Sequence, residues 1–237
     1  MSKPTTMQAV VCYAPHDYRL ERVPVPQVGP GEVLVRVTAT GVCASDVKTS
    51  VGAPRIWGNE EFAAYVVAPV IPGHEFVGEV VELGPGAERH GLAIGDQAIS
   101  ENIIPCGECR YCRRGQYWMC QVHNIYGFKR GIAEGSWAEY MKFPAGAHNF
   151  KVPSSVPAEQ AALIEPLACA IHAVERGQIA LGDVVVIAGM GPIGLCMLQV
   201  ARLRSPGLLI ALDAKPDRLV KARALGADLA IDVTQED

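Results

Sequence analysis

The chain has 237 residues, of which 49% are hydrophobic and 19% are charged, and its formal net charge at pH 7 is -4. This length accommodates one large domain or two smaller ones with a sizeable core. The basic residues are scattered and the overall balance is acidic, so neither nucleic acid nor a membrane is an expected partner.

The N-terminal residues and the cysteine content indicate the cellular compartment of the protein. The chain begins Met1-Ser2-Lys3-Pro4, which lacks the apolar stretch of a signal peptide, and its apolar runs are too short to span a bilayer. The eight cysteines are then expected to be metal ligands and buried thiols rather than disulfides. We therefore expect a cytoplasmic protein.

The first half of the chain has the pattern of an irregular β domain. From residue 7 to about residue 150, the segments are short, rich in valine and interrupted by proline and glycine. Residues 33–37 and 76–82 have the composition of strands in a mostly antiparallel sheet. Trp57 lies between them, where it either lines a substrate cleft or packs against the sheet.

Three residues of this half are candidate ligands of a catalytic zinc ion, namely Cys43, His74 and Glu75. A thiolate, an imidazole and a carboxylate leave one zinc position open for a substrate oxygen. Taken alone, a cysteine and a histidine so far apart are more often core residues. Their neighbours favour a site, because Ser45 offers a hydroxyl that passes on the alcohol proton and Asp46 offers an acceptor for the imidazole N–H.

A second metal set follows in a lobe at about residues 100–130. Cys106, Cys109 and Cys112 are separated by two residues each, and Cys120 follows after seven, so one loop brings four thiolates to tetrahedral zinc. Such a site has no open position and is structural. Free thiols or a disulfide pair are the simpler alternatives. A zinc ribbon that binds nucleic acid is another, but the acidic chain and the lack of a second knuckle count against it.

After Pro153 the pattern changes to alternating helices and strands. Residues 158–176 have helical periodicity and contain Glu165, whose simplest interpretation is a surface carboxylate. The next elements are a strand at 183–188, a helix at 193–203, a strand at 208–212, a helix at 216–225 and a strand that starts at 229–231. This order predicts a parallel sheet and a division into domains 1–152 and 153–237.

A glycine loop follows the first of these strands and opens the next helix. Its candidate cofactor-binding residues are Gly189, Gly191, Pro192, Ile193 and Gly194. The missing side chains let the backbone approach a pyrophosphate at the helix N-terminus. Asp213 ends the next strand, where an acidic group binds both ribose hydroxyls and repels a 2'-phosphate, so NAD is favoured over NADP. Lys215 and Arg218 lie nearby, and a cation there would instead accept that phosphate.

These motifs occur in an order that resembles the zinc-dependent medium-chain dehydrogenases, along essentially the whole chain. Glu165-Pro166-Leu167 is similar to the polyol, sorbitol-type branch, and residues 106–130 are most similar to the erythritol/L-threitol dehydrogenases. The resemblance implies a GroES-like irregular β-barrel followed by a Rossmann-type parallel sheet, an α/β domain added to a β domain. It also implies two zinc ions per chain, the catalytic one held by Cys43, His74 and Glu75 with Glu165 close by or linked through water. Ser45 would start the proton relay, and family members are usually dimers or tetramers.

One departure from the family separates two functional hypotheses. In the family the cofactor domain continues through further strands, whereas residues 234–237 lie near the third strand, so about half of the sheet is expected to be absent. An unpaired strand edge and an uncovered apolar face are then expected.

The leading hypothesis is a zinc-dependent enzyme that transfers a hydride from a secondary alcohol of a small polyol to NAD, a homo-oligomer if full length. The alternatives are a truncated, non-catalytic zinc-binding fragment and a threonine- or general alcohol dehydrogenase-like activity.

Overall fold

A computed structural model describes residues 4–235, which divide into two compact units between Leu163 and Ile164. Residues 1–3, on which part of the signal-peptide expectation rests, and residues 236–237 at the expected early stop lie outside the described residues. The domain division after residue 152 stays a prediction. The helix at Ala158–Ala161 belongs to the first unit, because it packs against the strands Val33–Thr40 and Phe76–Leu83.

The first unit is built from short strands. Nine of them lie in the described residues: β1 (Thr6–Ala14), β2 (Asp17–Pro24), β3 (Val33–Thr40), β4 (Phe76–Leu83), β5 (Gln97–Ser100), β6 (Ile103–Ile104), β7 (Asn124–Ile125), β8 (Tyr140–Phe143) and β9 (Asn149–Lys151). They form a five-stranded sheet of order β8-β3-β4-β5-β9 and two two-stranded sheets, β1-β2 and β6-β7. All of these pairings are antiparallel, as predicted, and the five-stranded sheet is open at both edges.

The first unit has buried clusters on both faces of the five-stranded sheet, and the larger one lies on the face opposite Leu34. Val33 and Val35 of β3 are fully buried there, together with Met141 and Phe143 of β8. The alternation along β3 explains this packing, because residues two apart point to the same face of a strand. Tyr126 is also fully buried and donates a hydrogen bond from its hydroxyl to Ser100 Oγ at 3.0 Å.

Helices in the first unit are short and occur at strand ends. They are α1 (Ala44–Ser50), α2 (Pro54–Trp57) and α3 (Ala158–Ala161), with 3-10 turns at Ala87–His90, Cys112–Arg114 and Tyr117–Met119. Trp57 packs against a cluster that contains Cys12, Val66 and Val70, and its indole N–H donates to the Thr49 carbonyl at 2.7 Å. In these contacts Trp57 packs within the first unit, which is the second of the two roles predicted for it.

The second unit alternates strands and helices. Its elements are α4 (Ile164–Gly177), β10 (Val184–Ala188), α5 (Pro192–Arg202), β11 (Leu208–Asp213), α6 (Pro216–Ala224) and β12 (Leu229–Asp232). The sheet has the order β10-β11-β12 and is parallel throughout, which confirms the predicted βαβα arrangement. Each predicted strand and helix from residue 183 onward matches its observed bounds to within one residue.

One predicted helix is divided in the structure. Residues 158–176 were expected to form a single helix, but α3 ends at Ala161 and α4 begins at Ile164. Pro166 explains the break, because it has no backbone N–H to donate to the carbonyl of Ala162 four residues earlier. At the break the Leu163 N–H instead donates to the Gln160 carbonyl at 3.0 Å, three residues back.

The sheet of the second unit has one strongly exposed edge. Within residues 4–235, β10 pairs only with β11, and its Val184 and Val186 side chains are 64% and 55% exposed. The other side of the strand contributes Ile187 to a core with Leu198 and Leu209. Within residues 4–235, no helix is long and apolar enough to cross a bilayer.

Candidate metal and cofactor sites

Cys43, His74 and Glu75 converge at one end of the five-stranded sheet. Cys43 directly precedes α1, and His74 and Glu75 directly precede β4. Because β3 and β4 are antiparallel, with Thr40 opposite Phe76, the segments after β3 and before β4 meet. The three potential ligand atoms all lie within 4.8 Å of one another. The structure therefore brings together residues that are 31 positions apart in the sequence.

Asp46 contacts both sides of this group. Its side chain is buried, with Oδ2 accepting the Cys43 backbone N–H at 2.8 Å and Oδ1 lying 3.6 Å from His74 Nδ1. On the other side of the imidazole, Ser45 Oγ lies 3.3 Å from His74 Nε2. A carboxylate at Nδ1 orients the ring and leaves Nε2 as the atom that faces a ligand. Asp46 therefore stands where the sequence predicted an acceptor for His74.

Electrostatics within the group favour a thiolate. The His74 side chain beside Cys43 lowers the pKa of that thiol, and the Ser45 hydroxyl adds to the effect. Burial raises the pKa of the Asp46 carboxyl, opposed by His74 and by the Cys43 amide. A thiolate, an imidazole nitrogen and a carboxylate are a donor set that zinc accepts with one position left open. The residues present thus fit the catalytic zinc ion implied by the sequence.

The four cysteines of the lobe form the second group. The sulfur atoms of Cys106, Cys109, Cys112 and Cys120 lie within 4.8 Å of one another, with 3.9 Å between those of Cys106 and Cys112. Backbone N–H groups point at the sulfurs: Cys109 N–H donates to Cys106 Sγ at 3.4 Å, and Cys112 N–H donates to Cys109 Sγ at 3.5 Å. None of the eight cysteines is in a disulfide.

These amides favour the charged form of a sulfur ligand. The backbone N–H of Cys112 lowers the pKa of Cys109 to about 6. Burial raises the pKa of Cys112 to about 12, and hydrogen bonds with the other three thiols add to the effect. Four convergent sulfurs with amide donors fit a structural zinc ion, which would neutralise the charge that the thiols alone cannot carry.

The glycine loop connects β10 to α5. Gly189 has φ 91°, in the left-handed region that favours glycine, and its N–H donates to the Leu212 carbonyl at 2.7 Å. Gly191 directly precedes α5, Pro192 and Ile193 form its first turn, and Gly194 is buried against the Gly189 carbonyl, where a side chain would overlap it. The backbone amides at this helix N-terminus attract an anion.

Asp213 ends β11 beside this loop. Its carboxylate is 8% exposed and accepts two backbone N–H groups, that of Met190 at 2.6 Å and that of Lys215 at 2.8 Å. Arg218 Nη1 lies 3.6 Å from the same carboxylate. The Met190 amide, the Lys215 amide and Arg218 lower the pKa of Asp213. Arg218 is thus paired with Asp213, which reduces its availability for a 2'-phosphate.

The depressed pKa of Asp213 predicts a specific dependence of stability on pH. Because the folded pKa lies below the unfolded value of about 3.9, ionised Asp213 stabilises the fold above about pH 4, and this contribution disappears as pH falls through the folded pKa. We expect Asp213→Asn to unfold at lower urea concentration than the wild type at pH 7, with the difference shrinking below about pH 4. Asp217→Asn, which removes an exposed carboxylate of the same unit, is the control. Parallel pH curves for the wild type and Asp213→Asn would contradict the expectation.

Glu165 lies in the second unit. It is the second residue of α4, and its Oε1 lies 3.5 Å from Cys169 Sγ one turn further along the helix. The other candidate ligands belong to the first unit. The role of Glu165 at the catalytic zinc ion therefore stays a prediction.

Known proteins match both the sequence and the fold. The Alcohol dehydrogenase GroES-like domain family matches residues 29–154, more than half of the chain. The chain belongs to the alcohol dehydrogenase GroES-like domain family. It is 55% identical to the erythritol/L-threitol dehydrogenase of Mycolicibacterium smegmatis over 235 residues, which are 99% of this chain and 65% of that protein. The resemblance to the polyol branch of this family is confirmed.

Two further similar proteins extend the comparison. The L-threonine 3-dehydrogenase of Pyrococcus horikoshii is 41% identical over 92% of this chain and 59% of its own length. The crystal structure of a zinc-binding dehydrogenase from Sinorhizobium meliloti 1021, bound to NADP, superposes with a TM-score of 0.87 at 31% identity, covering 99% of this chain and 64% of that one. The chain thus spans about 60 to 65% of the relatives it matches.

Sequence reasoning missed several contacts of these sites. The hydrogen bond from the Met190 N–H to the Asp213 carboxylate was not predicted, although the position of Met190 inside the glycine loop indicated a backbone amide near Asp213. The Phe128 ring packs against the His74 ring, with 5.6 Å between centroids. Ser136 and Trp137 contact the segments that carry Cys43 and His74. No local sequence pattern distinguishes these last two residues from ordinary loop residues.

Proposed function

We propose that the protein to which this chain belongs transfers a hydride from a secondary alcohol of a small polyol, such as erythritol or threitol, to NAD. The convergence of Cys43, His74 and Glu75, with Asp46 behind the imidazole, carries this proposal. The 55% identical erythritol/L-threitol dehydrogenase supports the substrate class.

A zinc ion bound by Cys43, His74 and Glu75 would supply a Lewis acid that makes an alcohol more acidic. The residues around it have separate tasks. Ser45, whose Oγ lies 3.3 Å from His74 Nε2, would take up the alcohol proton and pass it outward. Asp46 holds the imidazole through Nδ1 and the Cys43 loop through its amide, so both ligands keep their orientation. Glu165 is proposed as an additional carboxylate of this site.

The second zinc ion, held by Cys106, Cys109, Cys112 and Cys120, has a structural task. Residues 105–119, which carry three of the four cysteines, include no buried side chain, so this loop has no core of its own. A cation that draws four thiolates together would therefore stabilise the conformation of the loop.

NAD is the proposed hydride acceptor. The glycine loop and the N-terminus of α5 would bind the pyrophosphate. The buried carboxylate of Asp213 would accept hydrogen bonds from the ribose hydroxyls and would repel a 2'-phosphate. Arg218 would not attract that phosphate, because its charge is paired with Asp213. We further propose that the protein forms homo-oligomers, as the family resemblance implies.

A threonine dehydrogenase activity is the second candidate, favoured by the 41% identical L-threonine 3-dehydrogenase. Initial rates with erythritol, L-threitol and L-threonine, each with NAD and with NADP, distinguish the two. We expect a polyol to be oxidised at a kcat/KM at least about tenfold above that of threonine, a difference of about 1.4 kcal/mol in transition-state binding. A preference for threonine would replace the polyol proposal.

Binding of NAD is measured separately by calorimetric titration of the same protein. Saturable heat with NAD, at lower ligand concentration than with NADP, is the expected result. An absence of saturable heat with either nucleotide would favour the non-catalytic zinc-binding fragment.

A further inference from the structure

Ser136 and Trp137 contact both loops that carry the candidate ligands of the catalytic metal. On one side they use their backbone: Ser136 N–H donates to the Gly73 carbonyl at 3.1 Å, and Trp137 N–H donates to the Pro72 carbonyl at 2.9 Å. Gly73 directly precedes His74 in the sequence. These two bonds fix residues 136–137 to the loop of His74 and Glu75.

On the other side they use their side chains. Ser136 Oγ lies 2.6 Å from Thr40 Oγ1, and Trp137 Nε1–H donates to the Gly41 carbonyl at 3.2 Å. Thr40 ends β3, and Gly41 lies two residues before Cys43. The side chains of residues 136–137 therefore hold the Cys43 loop, while their backbone holds the His74 loop.

The packing around this connection leaves no space for a side chain at Gly73 or Gly41. Gly73 has φ 95°, and a Cβ atom there would come within 2.6 Å of Ser136 Oγ. A Cβ atom on Gly41 would overlap the Glu75 carboxylate, and Gly41 N–H donates to the Glu75 carbonyl at 2.7 Å. Ser136 is 1% exposed, so water does not compete for its hydroxyl. The two loops are thus held at a fixed separation.

We propose that Ser136 and Trp137 are positioning residues that set the separation between Cys43 and His74 and so the affinity of the catalytic zinc site. This inference rests on the proposed assignment of Cys43, His74 and Glu75 as metal ligands. Groups that orient a ligand without touching the metal typically alter metal affinity by 10- to 100-fold when they are removed. Because only their side chains reach the Cys43 loop, substitution loosens that loop and leaves the His74 loop bonded.

The test measures metal release from the full chain loaded with zinc, using a colorimetric chelator. We expect two zinc ions per chain in the wild type, released in separable phases, one of which Cys43→Ala identifies as the catalytic site. In Trp137→Phe, which keeps an aromatic ring but loses the indole N–H, and in Ser136→Ala, that phase should be about 10- to 100-fold faster. The phase of the four-cysteine site should be unchanged. With cobalt in place of zinc, the thiolate-to-metal absorption band of Cys43 should shift in the same variants.

Trp57→Phe is the matched control, because Trp57 also donates its indole N–H to a backbone carbonyl, that of Thr49 at 2.7 Å. Its metal release should equal that of the wild type. Wild-type release rates and cobalt spectra in both Trp137→Phe and Ser136→Ala would overturn the inference, as would an equal acceleration in Trp57→Phe. A wild type that binds only one zinc ion, in the four-cysteine lobe, would instead overturn the metal assignment in the proposed function.

Discussion

Cys43→Ala is expected to reduce the zinc content from two ions per chain to one and to abolish alcohol oxidation. Cys43 supplies the thiolate of a group whose ligand atoms lie within 4.8 Å of one another, and its pKa is lowered by His74. Loss of the Lewis acid removes several kcal/mol of transition-state stabilisation, which corresponds to a fall in kcat/KM of about 1,000-fold or more. Zinc analysis by mass spectrometry and initial rates measure the two effects.

Cys196→Ala is the control for this prediction, because Cys196 lies on α5 in the second unit, outside both cysteine groups. It should retain two zinc ions and its turnover. If Cys43→Ala lost both metals together, the two sites would not be independent. If it retained both metals, Cys43 would not be a ligand.

Cys109→Ser is expected to lose the other zinc ion and to unfold the lobe locally. A serine hydroxyl is not deprotonated near neutral pH, so it does not replace a thiolate whose pKa is about 6. Structural zinc contributes about 10–16 kcal/mol of apparent binding free energy in small metal-dependent folds. Since no side chain between residues 105 and 119 is buried, hydrophobic burial does not compensate for this loss.

Limited proteolysis with trypsin measures the effect, because Arg110, Arg113 and Arg114 lie within the lobe. Cleavage there should accelerate at least about tenfold, in proportion to the population of the opened state. The five-stranded sheet should keep its protection from hydrogen exchange. Cys196→Ser is the matched control and should be cleaved as slowly as the wild type. A variant that loses zinc while its lobe stays resistant would show that the loop folds without the metal.

The sequence alone predicts the features of this protein that are formed by residues close together in the chain. Four cysteines between residues 106 and 120 predict a closed metal site, because the loop that joins them is short. The glycine loop between an apolar strand and a helix is equally local, and its β10-to-α5 position is as predicted. The bounds of β4 and of the elements from residue 183 onward match the prediction to within one residue, whereas β3 continues to Thr40, three residues beyond its predicted end.

The tertiary structure decided those features that depend on residues far apart in the chain. The bond between Trp137 and Gly41 and the contact between Ser136 and Thr40 each join residues 96 positions apart. The bonds from the Met190 and Lys215 amides to Asp213 depend on how closely the glycine loop and β11 pack. Such contacts leave no periodic pattern in the sequence. Any of several polar residues forms them once strand pairing has set the distance between the two loops. Strand pairing buries apolar faces over the whole chain, and only the folded molecule fixes which loops it brings together.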